Sequence, residues 1–269
     1  MMGIVWYDAD VVFPPSTVIF VGAGPGDPGL MTLAGVDALR AASVVFYDYL
    51  IPPSILEFAG AAELVLVGKS RGHHSKRQDD INALLVSYAK DGHRVVRLTG
   101  GDPSVFGRLG EEMDYLKNNN VLYRVIPGVS SATAAPIYSG IPLTFREVAR
   151  SVAFVTAATF SNVDELGDLH IPTADTVVFL MPLAQLEALT LLVAGTGGFS
   201  DDTPAAVVSS GTTRAHRHVV GTLRSIAALA REHRMESPSL LVVGEVCRFA
   251  EHLQWFEPES NAQDPFICR

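Results

Sequence analysis

TVIFVGAGPGDPG, Thr17 to Gly29, decides how the rest of this chain is read. An unbroken run of β-branched and aromatic residues ending at Gly22 predicts a strand buried on both faces, as in a parallel sheet. Glycines 22, 24 and 26 and prolines 25 and 28 then make a rigid loop, and helical spacing follows over Thr32–Ala41. Strand, glycine loop and helix form the first half of a βαβ unit. Moving outward, the same rhythm predicts strands at Ser43–Asp48, Glu63–Lys69, Arg94–Leu98 and Tyr123–Gly128. Asp79 and Asp80 open a helix carrying Ile81, Leu84, Leu85 and Tyr88 on one face, and Gly92 ends it. Proline and charge interrupt the pattern in GIPLTFREVAR, Gly140–Arg150. It restarts with strands at Val152–Thr156, Thr176–Met181, Ala205–Ser209 and Ser239–Gly244, and helices at Leu183–Val193 and Leu223–Glu232. The reading is an α/β protein with mainly parallel strands in two domains, 17–143 and 150–257, with flexible tails 1–16 and 258–269.

Bulk properties narrow the function. With 48% hydrophobic and 18% charged residues the chain is globular. A net charge of −9 argues against nucleic acid or a polybasic membrane anchor, both of which need positive fields. The two cysteines, Cys247 and Cys268, lack the spacing of a zinc or redox site, and no metal is expected. The start lacks a signal-peptide pattern and no apolar run approaches the ~20 residues of a span, so a cytoplasmic protein is expected.

Three strand-end loops carry small residues. Gly22–Gly29 departs from the dinucleotide fingerprint because Asp27 stands where its third glycine belongs. It reads equally as a ligand cradle or a tight strand-to-helix turn. TGGDPSVFGR, Thr99–Arg108, exposes backbone at Gly100 and Gly101 and offers the Asp102 carboxylate. PGVSSATAA, Pro127–Ala135, places Ser130 and Ser131 at a helix start, as caps or as ligand contacts. In a parallel sheet such loops meet at one edge, where α/β folds bind ligands.

VGAGPGDPGLMTL, Tyr47–Asp48, VGKSRGHHS, RLTGGDPSVFGR, VIPGVSSA, GIPLTFR and PSLLVVGEV with a following LQWF occur in that order. The chain thereby resembles the tetrapyrrole methylases, and among them the uroporphyrinogen-III C-methyltransferases. The resemblance implies the tetrapyrrole methylase fold, a homodimer, and S-adenosylmethionine held in a cleft between two α/β domains, with S-adenosylhomocysteine as product. By motif position the cofactor contacts are Pro25, Gly100, Gly101, Asp102, Val105, Ser130, Ser131, Met181, Ala206 and Gly211. Outside its motif Met181 would read as core. The implied reaction is double methylation of uroporphyrinogen III to precorrin-2, with Asp48 as base and Lys69 as proton donor. Without the motifs these two read as a strand-end cap and a surface charge. Arg108 and Arg146 are candidates for substrate carboxylates or for ion pairs between domains.

Family members usually read YDRLV, LKGGDP and LTHR, whereas this chain has Tyr49, Thr99 and Phe145 in place of an arginine, a lysine and a histidine. Tyr49 and Phe145 then become substrate-binding candidates, and a paralogue acting on a less acidic acceptor becomes a second reading. A non-catalytic protein that binds S-adenosylmethionine or a porphyrinoid is the alternative from another class.

Overall fold

A computed structural model describes residues 13–68, 78–157, 169–196 and 198–258. The chain divides into two compact units, Met1–Ser130 and Ser131–Arg269. The expected tails fall largely outside the described residues.

In the first unit, β1 (Thr17–Gly22), β2 (Val44–Tyr47), β3 (Glu63–Leu66), β4 (Arg94–Thr99) and β5 (Leu122–Ile126) form one sheet in the order β3-β2-β4-β1-β5. Every pairing in it is parallel. Helices α1 (Leu33–Ala41), α2 (Pro53–Leu56), α3 (Gln78–Lys90) and α4 (Leu109–Asn118) cover both faces. Strand alternation sends Val18, Phe20, Phe46 and Val95 to a core shared with Leu85 of α3 and Leu116 of α4. It sends Ile19, Val21, Val96 and Leu98 to a second core with Leu39 of α1 and Ile55 of α2. With no polar face to show, the central strands had to read as continuous apolar runs.

This wiring decides where a ligand sits. Neighbours β1 and β4 lead into helices on opposite faces, α1 on one and α4 on the other. Their loops therefore diverge and leave a crevice at the carboxyl ends of the strands, the topological switch point of the sheet.

The second unit pairs β6 (Val152–Thr156), β7 (Thr176–Leu180), β8 (Pro204–Ser209), β9 (Arg217–Thr222) and β10 (Ser239–Val243) in the order β6-β7-β10-β8-β9. Here the expectation of mainly parallel strands is corrected. Only β6 and β7 run parallel among the described residues, and the other three pairings are antiparallel. The loop from β8 to β9, residues 210–216, is too short for the crossover that a parallel neighbour needs. Helices α6 (Leu186–Ala194) and α7 (Ile226–Glu232) pack Leu189, Val193 and Ile226 over Phe179, Val207 and Leu241. On the other face, α5 (Ser131–Tyr138) packs Ala132 and Ala135 against Val178, Ala206 and Val242.

Candidate active site

At the switch point three strand ends meet backbone to backbone. A Cβ on Gly22 would lie 2.5 Å from the Gly128 nitrogen and 2.7 Å from the Gly101 oxygen, and one on Gly128 would overlap the same oxygen. Nothing larger than glycine fits at either position. The first two loops are also laced together. The Gly24 amide donates to Gly101 O at 3.2 Å, the Gly101 amide donates to Gly24 O at 2.8 Å, and the Ala23 amide donates to Thr99 O at 2.8 Å.

Asp102 ties in the third loop. Its Oδ1 accepts from the Ser104 amide at 2.8 Å and from the Ser104 hydroxyl, while Oδ2 accepts the Gly128 amide at 3.0 Å. The carboxylate is thus committed to holding loops, and Asp27 likewise caps its own turn by accepting from the Gly29 amide. Gly100 differs from Gly22, Gly24, Gly101 and Gly128. It is exposed, its φ is not left-handed, and a Cβ built on it meets nothing within 4 Å. Open space beside exposed backbone, on a scaffold this rigid, leaves room for a ligand to approach the main chain. Pro25 and Val105 are half-buried alongside, and Phe106, 45% exposed at φ 55°, adds the backbone strain typical of binding sites.

Asp48 follows β2 at the same sheet edge. The Arg97 guanidinium, 5% exposed in β4, donates from Nη2 to Asp48 Oδ1 at 2.8 Å and from Nε to Glu112 Oε1 at 3.3 Å. Its Nη1 donates to Leu98 O at 3.1 Å. Gln78 Nε2 holds the same Glu112 oxygen at 2.9 Å. Burial opposes the charge of Arg97, but Asp48 and Glu112 together outweigh it and raise its pKa. Taking such a charge out of water costs several kcal/mol unless it is paired. Sequence reasoning missed this group. Its signal was an arginine inside the apolar run RVVRL, which demands a buried partner.

In the second unit, Met181 follows β7 at φ 58° and is 50% exposed. A left-handed, half-exposed methionine is not core filling, so the motif reading of it survives the structural one. Gly211 lies between Ser210 and Thr212, both left-handed, and a Cβ there would overlap Ala135 of α5. Ala206 is fully buried in β8, and its side chain reaches no surface in this unit. His216 locks this loop. The Thr212 amide donates to Nδ1 at 3.3 Å, so the neutral ring carries its proton on Nε2. Nε2 donates to Ser139 Oγ at 3.2 Å, and that hydroxyl donates onward to Ala135 O at 3.2 Å. Burial first, then the nearby His218, pushes the His216 pKa down to about 4.

Residues 17–227 match the model of the Tetrapyrrole (Corrin/Porphyrin) Methylases. The chain belongs to this family. It is 47% identical over 231 residues to the uroporphyrinogen-III C-methyltransferase of Methanocaldococcus jannaschii, covering 85% of this methylase and 96% of that protein. It is 43% identical over 249 residues to the siroheme synthase of Pseudomonas putida (strain W619), covering 91% of this chain but 53% of the synthase. The methylase thus spans about half the length of the siroheme synthases that it matches. Among solved structures it resembles the Thermus thermophilus uroporphyrin-III C-methyltransferase with TM-score 0.76 and 35% identity, over 88% of this chain and 96% of that one. A Thermus thermophilus uroporphyrin-III C-methyltransferase solved in complex with S-adenosylhomocysteine gives TM-score 0.70 and 34% identity, over 86% and 99%.

Within the methylase, Pro25, Asp48, Gly100, Gly101, Asp102 and Val105 come from loops that share the carboxyl edge of the first sheet, with Ser130 at the end of that unit. Ser131, Met181, Ala206 and Gly211 belong to the second unit. Lys69 lies outside the described residues. Arg108 pairs with Glu111 at 3.1 and 2.6 Å, both side chains more than half exposed. Arg146 is exposed on a turn closed by Phe145 and Ala149, whose amides and carbonyls bond reciprocally at 3.0 and 2.8 Å. The three departures from family sequence are unequal. Thr99 is buried at 3% exposure, Phe145 stacks on Phe249 at 4.2 Å between ring centres, and Tyr49 stands 56% exposed.

Proposed function

We propose that this methylase is an S-adenosylmethionine-dependent C-methyltransferase that converts uroporphyrinogen III to precorrin-2 by two methyl transfers. The observation that carries the reading is the coincidence, at one sheet edge, of the open cradle at Gly100 with the oriented carboxylate of Asp48. S-adenosylmethionine supplies an already activated methyl group on a sulfonium. Gly100, Pro25 and Val105 hold the donor in this reading; Gly101, expected to expose its backbone, is buried with its amide and carbonyl spent on Gly24, and with Gly22 and Gly128 it keeps that cradle from giving way. Such positioning can contribute about 7–11 kcal/mol. Asp48 accepts the proton that the macrocycle loses, a role that typically contributes ~10²–10⁴-fold. Lys69 returns a proton, and Arg108 and Arg146 engage substrate carboxylates. A homodimer in the cytoplasm belongs to the same proposal.

The reading of a less acidic acceptor now rests mainly on Tyr49. Burial takes Thr99 out of direct contact, and Phe249 occupies one face of Phe145. The test is mass analysis of an anaerobic reaction with S-adenosylmethionine and uroporphyrinogen III beside a no-enzyme control. Products heavier by one and two methyl groups support the proposal. Cofactor binding without product would transfer it to another acceptor.

A further inference from the structure

Strand β4 lies inside its sheet between β2 and β1, and its neighbours Val95, Val96 and Leu98 are fully buried. An arginine in that row calls for a reason. We infer that Arg97 is a positioning residue for Asp48, anchored from behind by Glu112; this rests on reading Asp48 as the base.

Three features support it. The three directions of the guanidinium fork meet three fixed acceptors, Asp48 Oδ1, Glu112 Oε1 and Leu98 O, so the plane cannot turn without breaking a bond. Glu112 is fixed in turn by Gln78, whose amide also donates to Asn82 Oδ1 at 3.0 Å. Exposure then falls in one direction, from 32% at the Asp48 side chain to 5% at Arg97 and 1% at Glu112. Only the Asp48 end reaches the sheet edge where the cradle lies. A partly exposed aspartate needs no buried cation for solvation, and apolar residues would fill β4 at no loss of stability. What the arrangement provides is a single carboxylate orientation. Oδ1 is occupied and, among the described residues, Oδ2 is left to take the proton.

The experiment compares Arg97→Lys, Asp48→Asn, their combination, and Arg97→Met with Glu112→Leu. Each is assayed for kcat and KM with S-adenosylmethionine and uroporphyrinogen III, for cofactor affinity by calorimetry, and for Tm. Lysine keeps the charge but loses the fork. The expected result for Arg97→Lys is a kcat lowered about 10²-fold, with KM and cofactor affinity within about twofold of wild type. Added to Asp48→Asn, it should cost nothing further. If kcat is unchanged in Arg97→Lys while Asp48→Asn is inactive, the base reading stands and the inference is overturned. A parallel fall of kcat, affinity and Tm would make Arg97 merely structural and also overturn it. Undiminished turnover in Asp48→Asn, or none in wild type, removes the reading beneath. A crystal structure of the Met/Leu variant then decides separately. A displaced Asp48 carboxylate supports the inference, and one in its wild-type rotamer overturns it.

Discussion

Replacing His216 with glutamine should leave the protein stable at neutral pH and flatten its response to acid. The ring is buried and neutral, with its pKa lowered to about 4, against about 6.5 in an unfolded chain. Between those values the unfolded state binds a proton that the folded state refuses. This share of stability is therefore intact above pH 6.5, is lost as the pH falls through the window, and is fully lost near pH 4. Each unit is worth about 1.4 kcal/mol, so going from pH 7.5 to 5.0 should cost about 2 kcal/mol through this one group. Glutamine has a carbonyl to accept from the Thr212 amide and an amide to donate to Ser139, so the bonds of the loop can persist. The assay is urea unfolding at both pH values in a Trp6→Phe background. There the fluorescence comes from Trp255, whose indole N–H donates to Ile137 O at 2.9 Å in the same unit. The parent should lose about 2 kcal/mol more than His216→Gln. An identical pH dependence in the two proteins would refute the buried neutral imidazole.

Four further outcomes follow from the geometry. Gly100→Ala meets no protein atom, so Tm should stay put while S-adenosylmethionine affinity, measured by calorimetry, falls at least tenfold; equal affinity would move the donor away from this loop. Gly128→Ala has nowhere to place its methyl group and should destabilise by about 3 kcal/mol or more in urea titration. Asp102→Asn turns an acceptor into a donor against the Gly128 or Ser104 amide and should cost about 1–3 kcal/mol, read as a fall in Tm. Asp48→Asn should bind S-adenosylmethionine like wild type yet lose most turnover, and unchanged turnover would remove the base assignment.

The sequence made the first unit readable because its strands are buried on both faces and its helices return by crossover. β1 and β6 end where the apolar runs do. β9 escaped because RHVVGT is an edge strand with only one buried residue, so no apolar run marks it. Helix α4 escaped because one of its two buried positions is Glu112, which thins the apolar periodicity. The loops of the site were legible since glycines and prolines act through local backbone geometry. The company that Asp48 keeps was not, because Arg97 and Glu112 reach it only once two strands and a helix have packed. Nor could motif spacing reveal that Asp102 spends its carboxylate on neighbouring loops, whereas Met181, which composition alone would place in the core, was lifted out of it by its motif.

The interlocked glycines also set the terms on which this protein can change. A methyl group at Gly22 or Gly128 collides with main chain, which cannot step aside as a side chain can. Neither position admits a side chain without moving main chain, so the fold constrains both to glycine. If the proposed reading holds, retargeting this scaffold to a new acceptor means holding that corner constant and putting the library at Tyr49, Phe145 and Arg146, the exposed residues proposed for acceptor contact, to which the fold makes no such demand.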